Sequence, residues 1–189
     1  MTKEQQKRVG IGTVKKRDIL ENQAKIVYLG IGSNLGDRKK NIEIAKSHLS
    51  ENHLDFLSVS SFYETPSWPD PKNPKFLNIV IKAKFYYDPE SLLEICKKIE
   101  ILLGRKKGKK NDPRICDIDI IDFNGRIIQK KNGNNKINVP HERMHNRNFV
   151  LVPLFEINKY WFHPKLRKNI VFLLSNLSSE QLLGIKIVQ

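Results

Sequence analysis

Between residues 25 and 123 the hydrophobic periodicities run strand, helix, strand, strand, helix, strand, and that order predicts an α+β chain with a ferredoxin-like β-α-β-β-α-β core. Two further observations support it. The second helical stretch is bounded by clear start and stop signals, and the strand-like stretches are short and rich in Ile, Val and Phe. Beyond residue 123 the pattern adds a C-terminal hairpin and helices to this core.

The elements follow in order. "KIVYLGIGS" predicts a buried first strand over Ile26–Ile31. "NLGDRKKNIEIAKSHLS" carries Leu35, Ile42, Ala45 and Leu49 at helical spacing. "LDFLSVSSFYE" alternates as one second strand. "TPSWPDPKNPK", Thr65 to Lys75, holds four prolines and predicts a loop. "FLNIVIKAKF" is the third strand. "DPESLLEICKKIEILLG" is a helix with Asp88 as N-cap, Pro89 at its first position, Glu90 and Ser91 in its first turn, and Gly104 as its stop. A basic loop, Arg105 to Arg114, leads into a fourth strand over Ile115–Phe123. Asn124–Gly125 predicts a tight hairpin into "RIIQ". "NVPHERMHNRNFVLVPLFEI" begins as a loop and becomes a short helix, and "NIVFLLSNLS" reads as the last helix. Residues 1–24 are polar and read as a basic N-terminal extension, with residues 25–189 as a single domain.

Lys plus Arg number 34 against 20 for Asp plus Glu, a formal net charge of +14. That excess favours an anionic partner: nucleic acid, a phosphorylated small molecule or an acidic membrane surface. The two cysteines, Cys96 and Cys116, lie in apolar patterns without zinc-ligand spacing, and read as buried, reduced thiols suited to a reducing cytosol. No apolar run is long enough to span a bilayer, and the N-terminus has no apolar signal core. The expectation is a cytoplasmic protein with no membrane partner.

Against this basic background, "NDPRICDIDIIDFNG" places Asp117 and Asp119 two apart on a strand. Residues two apart share a face, about 6.6 Å between Cα atoms at about 3.3 Å of rise per residue. Alternation alone describes any half-buried strand. Here, however, Arg105, Lys106, Lys107, Lys109, Lys110 and Arg114 lead straight into the pair. Cations and paired carboxylates together suit polyphosphate chemistry. The cations neutralise non-bridging oxygens, and Mg²⁺ accepts two carboxylates plus water and phosphate oxygens. The glycines of "GIGSNLGD" fit neither the dinucleotide fingerprint nor the P-loop, and read as a strand-to-helix turn needing small residues. In "PKFLNIV", Phe76 and Asn78 share a strand face, as a stacking ring and an amide able to read a heterocycle's edge. In "VPHERMHNRNF", His141 and Arg147 lie close to Phe149, and His145 reads as a surface residue.

"YLGIGSNLGDR", "VSSFYETPSW", "FLNIVIKA", "IEILLGR", "DPRICDIDIIDFNG" and "VPHERMHNRNFVLVPLFEI", in this order, resemble the 6-hydroxymethyl-7,8-dihydropterin pyrophosphokinase family of folate biosynthesis, over about Lys25 to Pro164. The resemblance implies a transferase on a ferredoxin-like scaffold. It moves pyrophosphate from ATP to the pterin hydroxymethyl group, releases AMP, and uses two Mg²⁺ ions. It implies Asp117 and Asp119 as metal ligands and, with Arg105 and Arg114, as catalytic residues. Arg105, Arg114, His141, Arg147 and Glu100 become ATP-side residues; Thr65, Pro66, Phe76, Asn78 and Phe149 become pterin-side residues. It further implies that the 105–114 loop closes over ATP as a lid, and that the partners are ATP and a reduced pterin, with the protein a monomer. Relatives often have Tyr where Glu142 stands, and a Trp where the loop here reads Asn111, Asp112, Pro113, Arg114. An RNA-binding module on the same fold is the alternative from another class. It lacks the aromatic RNA-binding run, and Asp117 and Asp119 would repel a nucleic-acid backbone. A member that binds without turnover fits poorly with an intact Asp pair, both arginines and the histidine.

Overall fold

The computed structural model describes residues 23–67, 70–105, 112–132 and 135–188. Most of the N-terminal extension, Lys106 to Lys110 of the basic loop, and Asn111 therefore lie outside the described residues, and with them the expected lid. The core elements are β1 (Lys25–Ser33), α1 (Arg38–Glu51), β2 (Asp55–Val59), β3 (Phe62–Thr65), β4 (Phe76–Phe85), α2 (Pro89–Leu102) and β5 (Asp117–Phe123). The sheet order is β3-β4-β1-β5, every pair antiparallel, and β2 also pairs with β4. This is the ferredoxin-like arrangement that the periodicities predict.

The expected second strand is broken at Ser60–Ser61. β2 runs beside Ile81–Lys84 of β4 and β3 beside Phe76–Asn78, so the two lie end to end along one edge. Ser60 keeps both bonds to Val80, its N–H donating to the carbonyl and its hydroxyl accepting from the amide, each at 2.9 Å. The Ser61 N–H instead turns outward to the Glu156 carboxylate, at 3.0 and 3.1 Å. A side chain from another layer thus takes over a ladder donor, and the strand ends there.

Helix boundaries follow from their caps. Asp37 accepts from the Lys40 N–H at 3.0 Å, and Asp88 from the Ser91 N–H at 2.8 Å. Gly104, at φ +96°, ends α2. The two helices bury Ile42, Ala45, Leu49, Leu92, Cys96 and Ile99 against Val27, Leu29, Ile31, Ile118 and Ile120. Each fully buried aliphatic side chain contributes about 1.5–3 kcal/mol. Both cysteines are buried and free.

The opposite sheet face is only partly covered. There α3 (Asn148–Ile157) and α4 (Ile170–Ser175) pack, with Trp161, on Tyr28, Val80 and Ile121. The Asn124–Gly125 turn is tight as expected, with φ of +52° and +64°. It does not return the chain onto β5, because the Asn124 N–H is held by the Ile26 carbonyl at 2.6 Å and the chain is led off the edge. Instead β6 (Ile128–Asn132) pairs forward with β7 (Asn135–Val139), which supplies the extra hairpin. A second, two-residue hairpin joins β8 (Phe162–His163) to β9 (Lys168–Asn169). The expected last helix is short and is followed by α5 (Ser179–Leu183) and β10 (Lys186–Val188), which pairs with β3 at the sheet edge. Among the described residues no helix is long and apolar enough to cross a membrane.

Candidate active site

The site occupies the part of the second sheet face that α3 and α4 leave open. Two rows cross the sheet there. Asn78 on β4, Gly32 on β1 and Asp117 on β5 form one; Val80, Gly30 and Asp119 form the next. With strands about 4.8 Å apart, Asn78 and Asp117 are separated by about 10 Å. Glycine between them is a requirement of space. A Cβ on Gly32 would lie 2.8 Å from the Asn78 Oδ1, and one on Gly30 would lie 3.3 Å from the Ile121 Cδ1. Both glycines therefore serve inside the strand. Of the three singled out, only Gly36, at φ +63°, serves the turn.

Cations from distant parts of the chain converge on the two carboxylates. Arg114 Nη1 donates to Asp117 Oδ1 at 3.0 Å and Arg105 Nη1 to the same oxygen at 3.2 Å. Arg147 Nη1 donates to Asp119 Oδ2 at 3.2 Å, with His141 Nε2 at 3.8 Å from that oxygen. Burial first, and the Asp117 charge second, push the Asp119 carboxyl above its usual range, while His141 and Arg147 pull it back. Burial holds the His141 imidazole below its usual value, against the pull of Asp119. A third of each Asp side chain still meets solvent, 30% for Asp117 and 36% for Asp119, so both remain reachable.

Glu100 sits beneath this layer and is buried. Its carboxylate accepts from the Ile118 N–H at 2.8 Å and pairs with Arg105. Burial, then the Asp117 charge, raise it to about 7, against the Ile118 N–H and Arg105. It touches the open site through Arg105.

On the other side, Asn78 donates through Nδ2 to the Thr65 hydroxyl at 3.1 Å, both side chains being buried. Phe76 is half-buried at the start of β4, and Pro66 is exposed just past β3. Phe149, on the first turn of α3, is half-buried, with the Arg147 guanidinium 5.3 Å from its ring centre.

The donor set suits Mg²⁺. Asp117 and Asp119 offer only oxygen, and among the described residues no group of three or more His, Cys, Asp or Glu forms a protein-built metal cage. A hard cation that completes its shell with water and phosphate oxygens fits such a pair; zinc does not.

The family model for 7,8-dihydro-6-hydroxymethylpterin-pyrophosphokinase (HPPK) matches residues 28–159. A 2-amino-4-hydroxy-6-hydroxymethyldihydropteridine pyrophosphokinase of Aquifex aeolicus is 40% identical over 142 residues, covering 75% of this chain and 86% of the relative. Its Bacillus subtilis counterpart is 38% identical over 133 residues, covering 70% and 77%. The chain belongs to the HPPK family. The fold agrees. A solved wild-type HPPK-DHPS from Plasmodium falciparum superposes with a TM-score of 0.66 at 19% identity, over 82% of this chain. The chain spans 45% of that longer protein.

Sequence reasoning passed over Asn34, the residue that ties Arg114 to the loop before β4. It is buried, donates its N–H to the Arg114 carbonyl at 3.1 Å and accepts the Arg114 N–H on Oδ1 at 2.7 Å. Its Nδ2 donates to the Pro74 carbonyl at 3.1 Å. A side-chain amide that mimics a peptide partner for Arg114 leaves no periodic signal. His145, read as a surface residue, is half-buried, and its ring meets that of His163 edge-on at 6.2 Å. Glu142 is held by the Lys136 ammonium at 3.0 Å and by the Asn138 amide.

Proposed function

We propose that residues 25–189 form one catalytic unit in which Asp117 and Asp119 hold the cations of a bound ATP and the opposite wall holds the pterin. The chain is an ATP-dependent pyrophosphokinase, a transferase of folate biosynthesis. It moves pyrophosphate from ATP to the hydroxymethyl group of 6-hydroxymethyl-7,8-dihydropterin. The observation that carries the residue assignment is the row Asn78–Gly32–Asp117. It sets a heterocycle-reading amide and a carboxylate about 10 Å apart across a glycine floor.

In the structure the arginines rest on the carboxylates. When the triphosphate arrives, Arg105, Arg114 and Arg147 exchange carboxylate oxygens for phosphate oxygens, and His141 offers a further contact to the nucleotide. The exchange keeps every charge partnered throughout, so little desolvation is left uncompensated. Asp117 and Asp119 would hold two Mg²⁺ ions, which would supply charge neutralisation to the triphosphate, while the arginines fix it for in-line attack on the β-phosphorus. Thr65, Pro66, Phe76, Asn78 and Phe149 orient the pterin so that its hydroxyl oxygen bonds to that phosphorus while the bond to AMP breaks. Catalysis is positioning plus charge neutralisation, without a covalent enzyme intermediate. Glu100 acts through Arg105. The small-molecule site, the buried free cysteines and the small fold support a cytoplasmic monomer with no nucleic-acid partner.

The test is to mix purified protein with ATP, Mg²⁺ and the pterin and follow AMP. AMP formed only with the pterin, and lost in Asp117→Ala and in Asp119→Ala, is the expected result. AMP formation that survives both substitutions would overturn the assignment of the pair. No binding of either substrate would overturn the function.

A further inference from the structure

The C-terminal segment touches both pterin-facing walls, although nothing in its own sequence marks it for the site. On one wall, β10 pairs with β3, Ile187 opposite Tyr63 and Lys186 opposite Glu64, the residue before Thr65. Gly184 brings its backbone against Pro66, whose Cδ would lie 3.9 Å from a Cβ at that position. On the other wall, Gln181 brackets Arg147 from both sides. Its Nε2 donates to the Asn146 carbonyl at 3.2 Å, and its own carbonyl accepts from the Asn148 Nδ2. The Asn148 Oδ1 in turn accepts the Phe149 N–H at 2.7 Å. A chain of hydrogen bonds thus runs from the Gln181 carbonyl through the Asn148 amide to the backbone of Phe149.

This segment is not held by burial. α5 buries none of its residues, and β10 is exposed along its length. Its attachments are hydrogen bonds, and its one organised feature is a capping box. There the Gln181 Oε1 accepts the Ser178 N–H at 3.0 Å and the Ser178 hydroxyl accepts the Gln181 N–H at 3.2 Å. One side chain therefore both builds the helix and reaches the wall of the site.

We propose that residues 178–188 form a clip across the pterin side, with Gln181 as a positioning residue that holds Phe149 at its working distance from the Thr65–Pro66 wall. The inference rests on the reading of Phe149, Thr65 and Pro66 as pterin contacts. It assigns the segment to pterin affinity, not to the phosphate chemistry, because Arg147 keeps its own bond to Asp119 independently of the clip.

Gln181→Glu separates the two duties of the side chain. Glutamate at this position still accepts the Ser178 N–H, so the capping box survives. It presents no donor to the Asn146 carbonyl, so the side-chain half of the clip is lost while the main-chain bond to Asn148 stays. In the full chain, the KM for the pterin should rise about threefold to tenfold, the value of one lost hydrogen bond. The kcat and the KM for ATP should stay within about twofold. Asn148→Ala, which removes the relay to Phe149, should give the same pattern, and the double variant should fall short of the summed effect. Pterin binding followed by its fluorescence checks the same ranking without turnover. An unchanged pterin KM and affinity in both variants, or equal losses for pterin and ATP, would overturn the clip while leaving the pyrophosphokinase reading intact. A wild-type protein that neither forms AMP nor binds the pterin would overturn both.

Discussion

Strand β5 carries carboxylates in two places on one sheet face, and the two are answered in different ways. Asp122, near its end, is buried. Its Oδ2 accepts the Trp161 Nε1–H at 2.8 Å and its Oδ1 accepts the Gly125 N–H at 2.8 Å. Those donors are neutral and fixed by α3, α4 and the turn. Burial raises the Asp122 carboxyl, and the same hydrogen bonds pull it back. Asp117 and Asp119 lie three to five residues earlier, where no helix covers the sheet. They are answered by Arg105, Arg114 and Arg147, charged side chains whose donors suit a phosphate oxygen as well as a carboxylate. A carboxylate with immobile neutral donors is a structural pin. A pair answered by cations is a site that can trade partners.

The comparison breaks most visibly if the pair is emptied. Asp117→Ala or Asp119→Ala should lower kcat by about 10²–10³-fold or more, the scale of removing a group that stabilises transition-state charge. The fold should keep its Tm, because burial and the Asp117 charge already disfavour the ionised Asp119. AMP production beside a thermal melt measures both, and a collapse of the fold would erase the distinction. The converse holds at Asp122. Asp122→Ala leaves the Trp161 and Gly125 donors unsatisfied and should cost about 2–4 kcal/mol in urea unfolding. Activity per folded molecule should be unchanged. Gly32→Ala tests the floor between the two walls. A methyl 2.8 Å from the Asn78 Oδ1 must displace that amide, and the pterin KM should rise about tenfold while the KM for ATP holds. The smallest effect concerns Glu100, raised to about 7 in the fold. Its protonated form favours the folded state, so its contribution is full below about 4.5 and is lost as pH rises toward 7. Glu100→Gln should flatten the decline of Tm across that window; an unchanged decline would mean that Arg105 already compensates the charge.

Much of this was legible in residues with simple periods. Asp117 and Asp119 stood out because period two puts them on one face, and Asp88 and Gly104 because caps have chemical signatures. Asp122 was not legible in the same way. Strict alternation would put it on the opposite face, with Ile118 and Ile120. A register shift between Tyr28 and Leu29 lets Ile121 bulge and turns Asp122 toward Trp161. Nor does local sequence show that Arg105, Arg114 and Arg147 meet, since only the sheet brings them together. β10 was missed because three exposed residues give no burial pattern. Its pairing with β3 is a property of the sheet edge. Asn34 was missed because its work is done by a side-chain amide bonded to main chain eighty residues away.

The central claim is that Asp117 and Asp119 bind cations on behalf of a polyanion. Calorimetric titration of ATP into the wild type and into Asp119→Asn, each with and without Mg²⁺, tests it most directly. The account predicts that Mg²⁺ strengthens ATP binding to the wild type by about tenfold or more and does little for the variant, because the charge that holds the cation is gone. An equal Mg²⁺ effect in both proteins would contradict it and place the metal elsewhere.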